Sequence, residues 1–293
     1  MLDSIIGQTF RELRQAKNIE IKEVANEHFS YPQISKFETG KSSITVEKLF
    51  DGLLSINVSL EEFSRAYYNN SGNGEFLFPT KLNEAYHSNN LALLKNMLRE
   101  AKYTLKKFPE KSKYKLNLIV IKAVIKNLDS NYEVPVIDVK YLTNYLTTIE
   151  EFTSYEFWLF AYCVILFDND TIIKIVKQII HSGQNNLDFP SLRQRKYASI
   201  LNSIDVLLKR ECYEPLSAWL TYLDKALDSD LFIYEKVHFV YHNFIYELKQ
   251  NPQSASAKEK LKDYFSALKL FKCFNLVNTT EREVNEFFPD YHI

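Results

Sequence analysis

The scarcity of glycine over the last three quarters of the chain is the feature that most constrains its fold. Residues 77–293 contain one glycine, and apolar residues recur there at spacings of three and four. That spacing lines one face of a helix with apolar side chains, and few residues other than glycine adopt the left-handed backbone of tight turns. The pattern predicts an all-α fold for this part of the chain.

A cluster of asparagine, serine and glycine divides the sequence. The stretch YNNSGNGEF, residues 68–76, holds two of the six glycines. Small polar residues of this kind mark loops and hinges. We therefore expect an N-terminal domain over residues 1–68, a linker over residues 69–79 and a larger helical domain over residues 80–293.

Prolines recur through the larger domain at the spacing of helix pairs. They stand at positions 79, 109, 135, 190, 215, 252 and 289, at intervals of 25 to 37 residues with one interval of 55. Because proline begins or ends helices, these units match antiparallel helix pairs, and stacked pairs form a solenoid like that of tetratricopeptide repeats. The consensus of that repeat does not recur, so an irregular helical bundle is the alternative.

Composition indicates a folded protein of a reducing compartment. Apolar residues make up 46% of the 293 residues, which suffices for a large core, and the net charge is −1. Three cysteines, Cys163, Cys212 and Cys273, lack the spacing of metal ligands or of a disulfide framework. The longest apolar stretch, Phe157–Phe167, is shorter than the roughly 20 residues that span a membrane, and we find no signal-peptide pattern. We expect a cytoplasmic protein without membrane contact.

The sequence lacks the motifs of common enzymes. It contains no glycine-rich phosphate loop, no HExxH and no GxSxG, and its six histidines show no ligand spacing with cysteines or carboxylates. We therefore expect no catalytic residue, no metal site and no cofactor.

Three short helices are predicted near the N-terminus. The first runs from Ile5 to Lys17 and the second starts near Glu20, each with a narrow apolar stripe. The third begins at about Ser30 and ends at Gly40. Ser30 with Gln33 three residues later forms a capping-box pattern, and glycine accepts the left-handed conformation that ends helices. The outward positions of this third helix are Tyr31, Gln33 and Lys36.

Residues 10–63 resemble the helix-turn-helix domains of phage-repressor type, which are five-helix domains. The matching positions are Arg14, Ala25, Ile34, Ser35, Glu38, Gly40, Lys41, Leu49, Leu53 and Phe63. In that family the second helix of the motif enters the major groove of double-stranded DNA. The resemblance implies DNA contacts by Arg11, Arg14, Lys17, Ser30, Tyr31, Gln33, Lys36 and Lys41.

Several of these positions have a second interpretation. Gln33 either reads a base or only closes the capping box, and Arg14 either meets a phosphate or pairs internally with Glu38. Lys41 is placed for a phosphate but also suits a solvated surface. Residues 1–70 hold 8 Lys and Arg against 10 Asp and Glu, so non-specific affinity for DNA should be weak. We therefore expect a homodimer that binds two half-sites of a pseudopalindromic operator.

A repressor-type domain, a polar linker and a long helical domain rich in Tyr, Phe and Ile together resemble the Rgg family of Gram-positive regulators. More broadly they resemble the peptide-pheromone receptors of the PlcR and PrgX type. The resemblance implies a cytoplasmic transcription factor whose helical repeats dimerise and bind a short signalling peptide. The alternatives are a dimeric repressor of phage or mobile-element type that needs no peptide, and a helical scaffold for protein interactions.

Two asparagines and two arginines are candidates for holding such a peptide. Asn202 and Asn243 lie in strongly apolar helical stretches, and an asparagine side chain offers both a donor and an acceptor to a peptide backbone. Hydrogen bonds between helices are the alternative role for both. Arg193 and Arg195 would hold a peptide carboxylate, or would form a solvated helix start.

One basic segment stands apart from the rest of the chain. Residues 81–122 hold ten Lys and Arg against three Glu. Two interpretations are open, namely an additional contact with DNA and a solvated helix face.

Overall fold

A computed structural model describes residues 2–72, 78–181 and 190–289, and of residues 2 and 3 only the backbone. Every regular element in these residues is helical, as the apolar spacing predicts, and they contain no strand. The chain divides into two compact units, Met1–His87 and Ser88–Ile293.

The first unit is a small bundle of short helices around one apolar core. Phe10, Phe29, Ile34, Phe37 and Leu53 are among its buried side chains. The helices are α1 (Leu2–Ala16), α2 (Ile21–Val24), α3 (Tyr31–Glu38), α4 (Val46–Ser55), α5 (Leu60–Ser71) and α6 (Phe78–His87).

Local sequence signals set the helix ends of the first unit. Thr45 caps α4. Ser59 caps α5, because its hydroxyl accepts the N–H of Glu62 and its own N–H donates to Glu62 Oε2. The second helix is a single turn, because Asn26 Oδ1 accepts the backbone N–H groups of His28 and Phe29 and turns the chain there.

The polar stretch that was predicted as a linker begins inside α5. This helix continues to Ser71 and ends at Gly72, whose φ of 60° is the left-handed conformation. Asn70 near its end donates to Thr9 Oγ1 and to Glu12 Oε2 of α1. Residues 73–77, which include Gly74 and part of the predicted linker, lie outside the described residues, and the functional boundary at residue 68 stays a prediction.

The described residues of the second unit form ten α-helices, which we take in chain order as five successive pairs, from α7–α8 to α15–α16. Helices α8, α10, α12 and α14 pack one against the next and form an inner row, while α9, α11 and α13 flank it. This arrangement is that of a helical repeat, as the sequence predicts. The helices are α7 (Leu91–Lys107), α8 (Ser112–Leu128), α9 (Val136–Thr148), α10 (Ser154–Cys163), α11 (Asn169–His181), α12 (Pro190–Lys209), α13 (Leu216–Ala226), α14 (Ile233–Gln250), α15 (Ala255–Leu270) and α16 (Phe274–Phe287).

The prolines mark helix ends rather than the period of the pairs. Pro135 and Pro215 precede the first helix of a pair, whereas Pro190 opens the second helix of the pair α11–α12 and Pro109 lies between the two helices of α7–α8. Proline stops or starts a helix for local steric reasons, so its spacing carries no information on which helices pair.

The stretch Phe157–Phe167 is part of the core of the second unit. It covers most of α10 and a 3₁₀ turn at Val164–Leu166, and seven of its side chains from Phe157 to Phe167 are buried. Burial raises the pKa of the Cys163 thiol, so this cysteine is held neutral. In the described parts of the chain, every helix is too short or too polar to cross a lipid bilayer.

Candidate functional site

Helix α3 is stopped at both ends by residues that the sequence singles out. The backbone N–H of Ser30 donates to Gln33 Oε1 at 3.2 Å, and Pro32 lies in the first turn. At the other end Gly40 has a φ of 68°, and the N–H of Lys41 donates to the carbonyl of Lys36 at 2.8 Å. The result is a two-turn helix with fixed ends, as expected of a recognition helix.

The inner face of α3 is packed against α1 and the segment before α3. Ile34 and Phe37 are buried, and the ring of Phe37 lies 5.8 Å from that of Phe10 and 6.4 Å from that of Phe29. Close approach depends on Gly7 in α1, since a Cβ there would lie 1.9 Å from the carbonyl oxygen of Phe37. Sequence reasoning missed this role of Gly7, because the contact joins residues 30 positions apart.

A buried ion pair joins α1 to the end of α3. Arg14 Nε and Nη2 donate to the two carboxylate oxygens of Glu38 at 2.7 and 2.8 Å, and Arg14 Nη1 donates to the carbonyl of Ile19 at 2.5 Å. Arg14 and Glu38 are 6% and 5% exposed. The hydrogen bond with Glu38 raises the pKa of Arg14 above its ordinary value. The structure therefore favours the internal role for Arg14, because its side chain is buried and each of its three guanidinium nitrogens donates a hydrogen bond inside the unit.

The outer face of α3 presents polar and aromatic side chains to solvent. Tyr31 is 53% exposed, and Ser30, Gln33, Lys36 and Lys41 are also exposed. Exposed side chains on a helix with fixed ends are available to contact base edges and phosphates. The structure places these five predicted residues together on and beside α3.

Gln33 makes two contacts that bear on its predicted roles. Its Oε1 atom accepts both the N–H of Ser30 and the ammonium group of Lys48 in α4, the latter at 3.1 Å. Capping therefore uses the oxygen, which leaves the Nε2 group of the same amide as a donor. Lys48 adds a cation to this surface that sequence reasoning missed, because only the fold brings α4 next to α3.

The predicted residues of α1 are separated by their environments. Arg11 is exposed. Lys17 is exposed too, but its ammonium group donates to the carbonyl of Asn57 at 2.5 Å, in the turn between α4 and α5. Lys17 thus also ties α1 to the rest of the bundle.

In the second unit, helix α12 carries a stripe of four polar residues and one alanine beside largely buried positions. Ser191, Arg195, Ala198, Asn202 and Asp205 are exposed or half-buried, while most of the other described side chains of α12 are buried. Their spacings of four, three, four and three keep them on one face. Helices α10 and α14 both pack on α12. We call the partly exposed stripe of α12 the open face of the inner row.

Asn202 lies on the stripe and is anchored by its neighbour. Its Nδ2 group donates to the carbonyl of Ala161 in α10 at 3.1 Å, and within the described chain its Oδ1 atom accepts no hydrogen bond. Both the interhelical role and an accessible acceptor thus occur in one side chain. Arg195, on the same stripe, is exposed.

The other two peptide candidates are placed differently. Asn243 is half-buried and donates to Glu247 Oε1, one turn further along α14, at 3.3 Å. Arg193 is half-buried with its guanidinium 5.3 Å from the ring centre of Phe232. These contacts favour structural roles for Asn243 and Arg193, since each side chain is engaged by its own part of the fold.

Asp205, at the C-terminal end of this stripe, is half-buried and lies beside a polar cluster formed with α14 and α16. Asp205 Oδ2 is 2.9 Å from Lys209 Nζ, and Asp205 Oδ1 is 3.9 Å from His242 Nε2 of α14. Burial, with a smaller contribution from the charge of Asp205, raises the pKa of Glu283 in α16 to about 7. Burial also lowers the pKa of His238 to about 4 and that of His242 below its ordinary value. Burial thus keeps both histidines neutral near neutral pH, whereas Glu283 changes its charge there.

The described residues contain no group of three or more His, Cys, Asp or Glu side chains arranged to hold a metal ion.

Comparison with known proteins gives a family match for the second unit and a similar fold for nearly the whole chain. A family model described as the C-terminal domain of the HTH-type transcriptional regulator Rgg matches residues 93–282. The crystal structure of the SHP pheromone receptor Rgg2 of Streptococcus dysgalactiae is 23% identical, with a TM-score of 0.79 over 96% of this chain and 99% of that chain. A transcriptional regulator from Listeria monocytogenes EGD-e is 18% identical, with a TM-score of 0.81 over 98% of both chains. The complex of PrgX with cCF10 is 13% identical, with a TM-score of 0.70 over 99% of this chain and 94% of that chain.

Proposed function

The chain belongs to the Rgg family of HTH-type transcriptional regulators, and from this premise we propose that it is a cytoplasmic regulator switched by a short peptide. It binds a pseudopalindromic operator as a homodimer through α3, and the peptide binds the open face of the inner helical row. The observation that carries the proposal is the exposed face of α3, fixed at both ends and backed by a buried ion pair. One solved structure of similar fold is described as the SHP pheromone receptor Rgg2, and another as a complex of PrgX with cCF10.

The DNA contacts follow from what α3 exposes. Lys36 provides a cation in the last turn, and the Gln33 amide is held next to Lys48. Tyr31 adds an exposed ring at the start of the helix. We propose that Lys36 and Gln33 contact the major groove and that Lys41, Lys48 and Arg11 contact phosphates.

The peptide contacts follow from the open face of α12. Asn202 Oδ1 would accept an N–H group of the peptide backbone, and Arg195 would pair with a carboxylate. A ligand shifts a regulator between two arrangements only if its affinity differs between them. We propose that the bound peptide favours one arrangement of the two DNA-binding units of the dimer.

Fluorescence anisotropy with DNA from upstream of the protein's own gene and adjacent genes tests the DNA part. We expect saturable binding that Lys36→Ala weakens by about 1–3 kcal/mol if it contacts a base. Lys174→Ala removes an exposed lysine of α11 and serves as the matched control. Equal binding by wild type and by a variant with both Lys36→Ala and Gln33→Ala would favour the scaffold alternative and contradict the proposal.

The peptide part is tested by adding peptide fractions of spent culture medium to the same binding assay. We expect one fraction to change operator affinity in the wild type and to have a smaller effect on Asn202→Ser. This change replaces the amide with a shorter, still polar hydroxyl group. Specific DNA binding that no fraction changes would instead support a repressor that needs no peptide.

A further inference from the structure

Helix α7 carries a stripe of basic side chains that the proposed function does not use. Lys95, Arg99, Lys102 and Lys106 follow one another at spacings of four, three and four and are all exposed. Such spacings hold the four side chains on one helix face. We name these four residues the α7 basic stripe.

The α7 basic stripe lacks acidic partners. Glu100 is the one acidic residue of α7, and it lies next to Arg99 in sequence and therefore on another face. Within the described residues, no side chain of the stripe forms an ion pair, and Arg99 donates to Asn96 of its own helix. The four charges thus remain available to an external anion.

Net positive charge is found in this part of the chain, whereas the parts before and after it carry net negative charge. Residues 88–122 hold nine Lys and Arg against two Glu, whereas residues 1–87 hold 9 against 12 and residues 123–293 hold 18 against 23. A local excess of one sign inside an acidic protein creates a directional field towards a partner of opposite charge. An aromatic side chain, Tyr103, borders the stripe and is 72% exposed.

The first unit does not supply the electrostatics that a DNA-binding domain ordinarily has. Affinity that is independent of sequence comes from Lys and Arg displacing counterions from phosphates. The first unit carries more acidic than basic residues, and Arg14 is removed from that supply by its pairing with Glu38. Another part of the chain must provide the missing term if this regulator binds DNA at physiological salt.

We propose that the α7 basic stripe binds the phosphate backbone of duplex DNA outside the bases that α3 reads. The stripe is about 16 Å long, since its ends are eleven residues apart at about 1.5 Å each. That length covers about five phosphates of one strand along the duplex axis. Helix α7 is also the first helix of the second unit, which begins at Ser88. The inference rests on the proposed operator binding and assigns it a second, sequence-independent contact.

The test compares two quadruple variants of the full chain that lose the same charge. One variant changes the α7 basic stripe by Lys95→Gln, Arg99→Gln, Lys102→Gln and Lys106→Gln. The control changes four exposed lysines of α9, α11 and α13 by Lys140→Gln, Lys174→Gln, Lys177→Gln and Lys225→Gln. Affinities for the upstream DNA and for an unrelated duplex of equal length are measured between 50 and 200 mM salt, after circular dichroism has shown that both variants are folded.

Neutralising the stripe should reduce the slope of log affinity against log salt by about 0.9 for each lost phosphate contact, and therefore by about 3 to 4. Between 50 and 200 mM salt, the affinity of the stripe variant should consequently fall by a factor about 150 times smaller than the factor for wild type. The reduction should be equal on both DNA molecules, and the control should change the slope by less than about 1.

Equal slopes for the two quadruple variants would overturn the proposal and would make the stripe a solvated surface or a contact for an acidic protein. The proposed recognition of the operator is tested separately, by the effect of Lys36→Ala on the preference for upstream DNA over the unrelated duplex. If Lys36→Ala leaves the preference for upstream DNA unchanged while the stripe variant loses salt dependence, the stripe contact stands and recognition by α3 is wrong. If the wild type binds neither DNA molecule, both proposals are wrong.

Discussion

Removing one partner of the Arg14–Glu38 pair should destabilise the first unit far more than removing both. In the native structure Arg14 is 6% exposed, and Glu38→Leu leaves its guanidinium with only the carbonyl of Ile19 as a partner. Breaking a buried pair in this way typically costs about 3–5 kcal/mol, since an uncompensated charge stays buried. A domain with about 5–15 kcal/mol of total stability would lose a large share of it.

The double variant Arg14→Met with Glu38→Leu removes both charges and fills much of the same volume. Its remaining defect is the carbonyl of Ile19, which loses the donor at 2.5 Å and costs about 1–3 kcal/mol. The double variant should therefore be more stable than Glu38→Leu alone. The losses of stability in the single variants Arg14→Met and Glu38→Leu should together exceed the loss in the double variant by about 2 kcal/mol or more.

Hydrogen exchange followed by mass spectrometry measures this locally, on peptides that cover α1 and α3. Both tryptophans, Trp158 and Trp219, lie in the second unit, so tryptophan fluorescence reports on that unit and should stay unchanged in all three variants. Protection in α1 and α3 that falls additively in the double variant would refute the reasoning. Loss of less than about 1 kcal/mol in Glu38→Leu would refute it as well, because a buried unpaired charge is never that inexpensive.

Three further predictions concern other parts of the chain. Gly7→Ala should weaken both stability and operator affinity, because its Cβ would lie 1.9 Å from the carbonyl oxygen of Phe37 and would force α1 away from α3. Thermal unfolding measures the stability, and fluorescence anisotropy measures the operator affinity. With a folded pKa of about 7, Glu283 stabilises the protein most at low pH, and this contribution is lost as the pH rises to about 7. Glu283→Gln should therefore gain up to about 3 kcal/mol of stability relative to wild type between pH 4.5 and 8. Tryptophan fluorescence during denaturation measures this difference. Cys273 is exposed and should react at once with a thiol reagent, whereas the buried Cys163 should react only on unfolding, and equal rates would contradict the structure.

The ends of α3 were predictable because their causes lie within a few residues. Ser30 and Gln33 are three positions apart, and Gly40 acts through its own backbone, so the capped helix is encoded locally. The all-α fold was predictable for a similar reason, since apolar spacing is a property of each helix by itself.

Contacts between distant residues decided what the sequence left open. Arg14 had two interpretations until the fold placed Glu38 around its guanidinium. The sequence does not indicate that Lys48 belongs to the surface of α3, since its contact with Gln33 depends on how α4 packs. Asn243 met a carboxylate of its own helix, while Asn202 came to lie on the open face of α12. Both stand in similar apolar stretches, so local sequence could not separate them.

The distribution of charge gives the two proposed DNA contacts different tasks. An acidic first unit contributes little attraction to DNA in general, so contacts made by α3 add affinity mainly at the sites whose bases it recognises. The α7 basic stripe attracts every duplex equally and raises the rate of encounter without changing the ratio between sites. Neutralising the stripe should therefore lower affinity while preserving specificity, whereas Lys36→Ala should lower specificity with a much smaller change in salt dependence, of about 1 in the slope. If the stripe variant changes salt dependence but not specificity, and Lys36→Ala changes specificity with little effect on salt dependence, then different helices provide sequence recognition and general attraction to DNA.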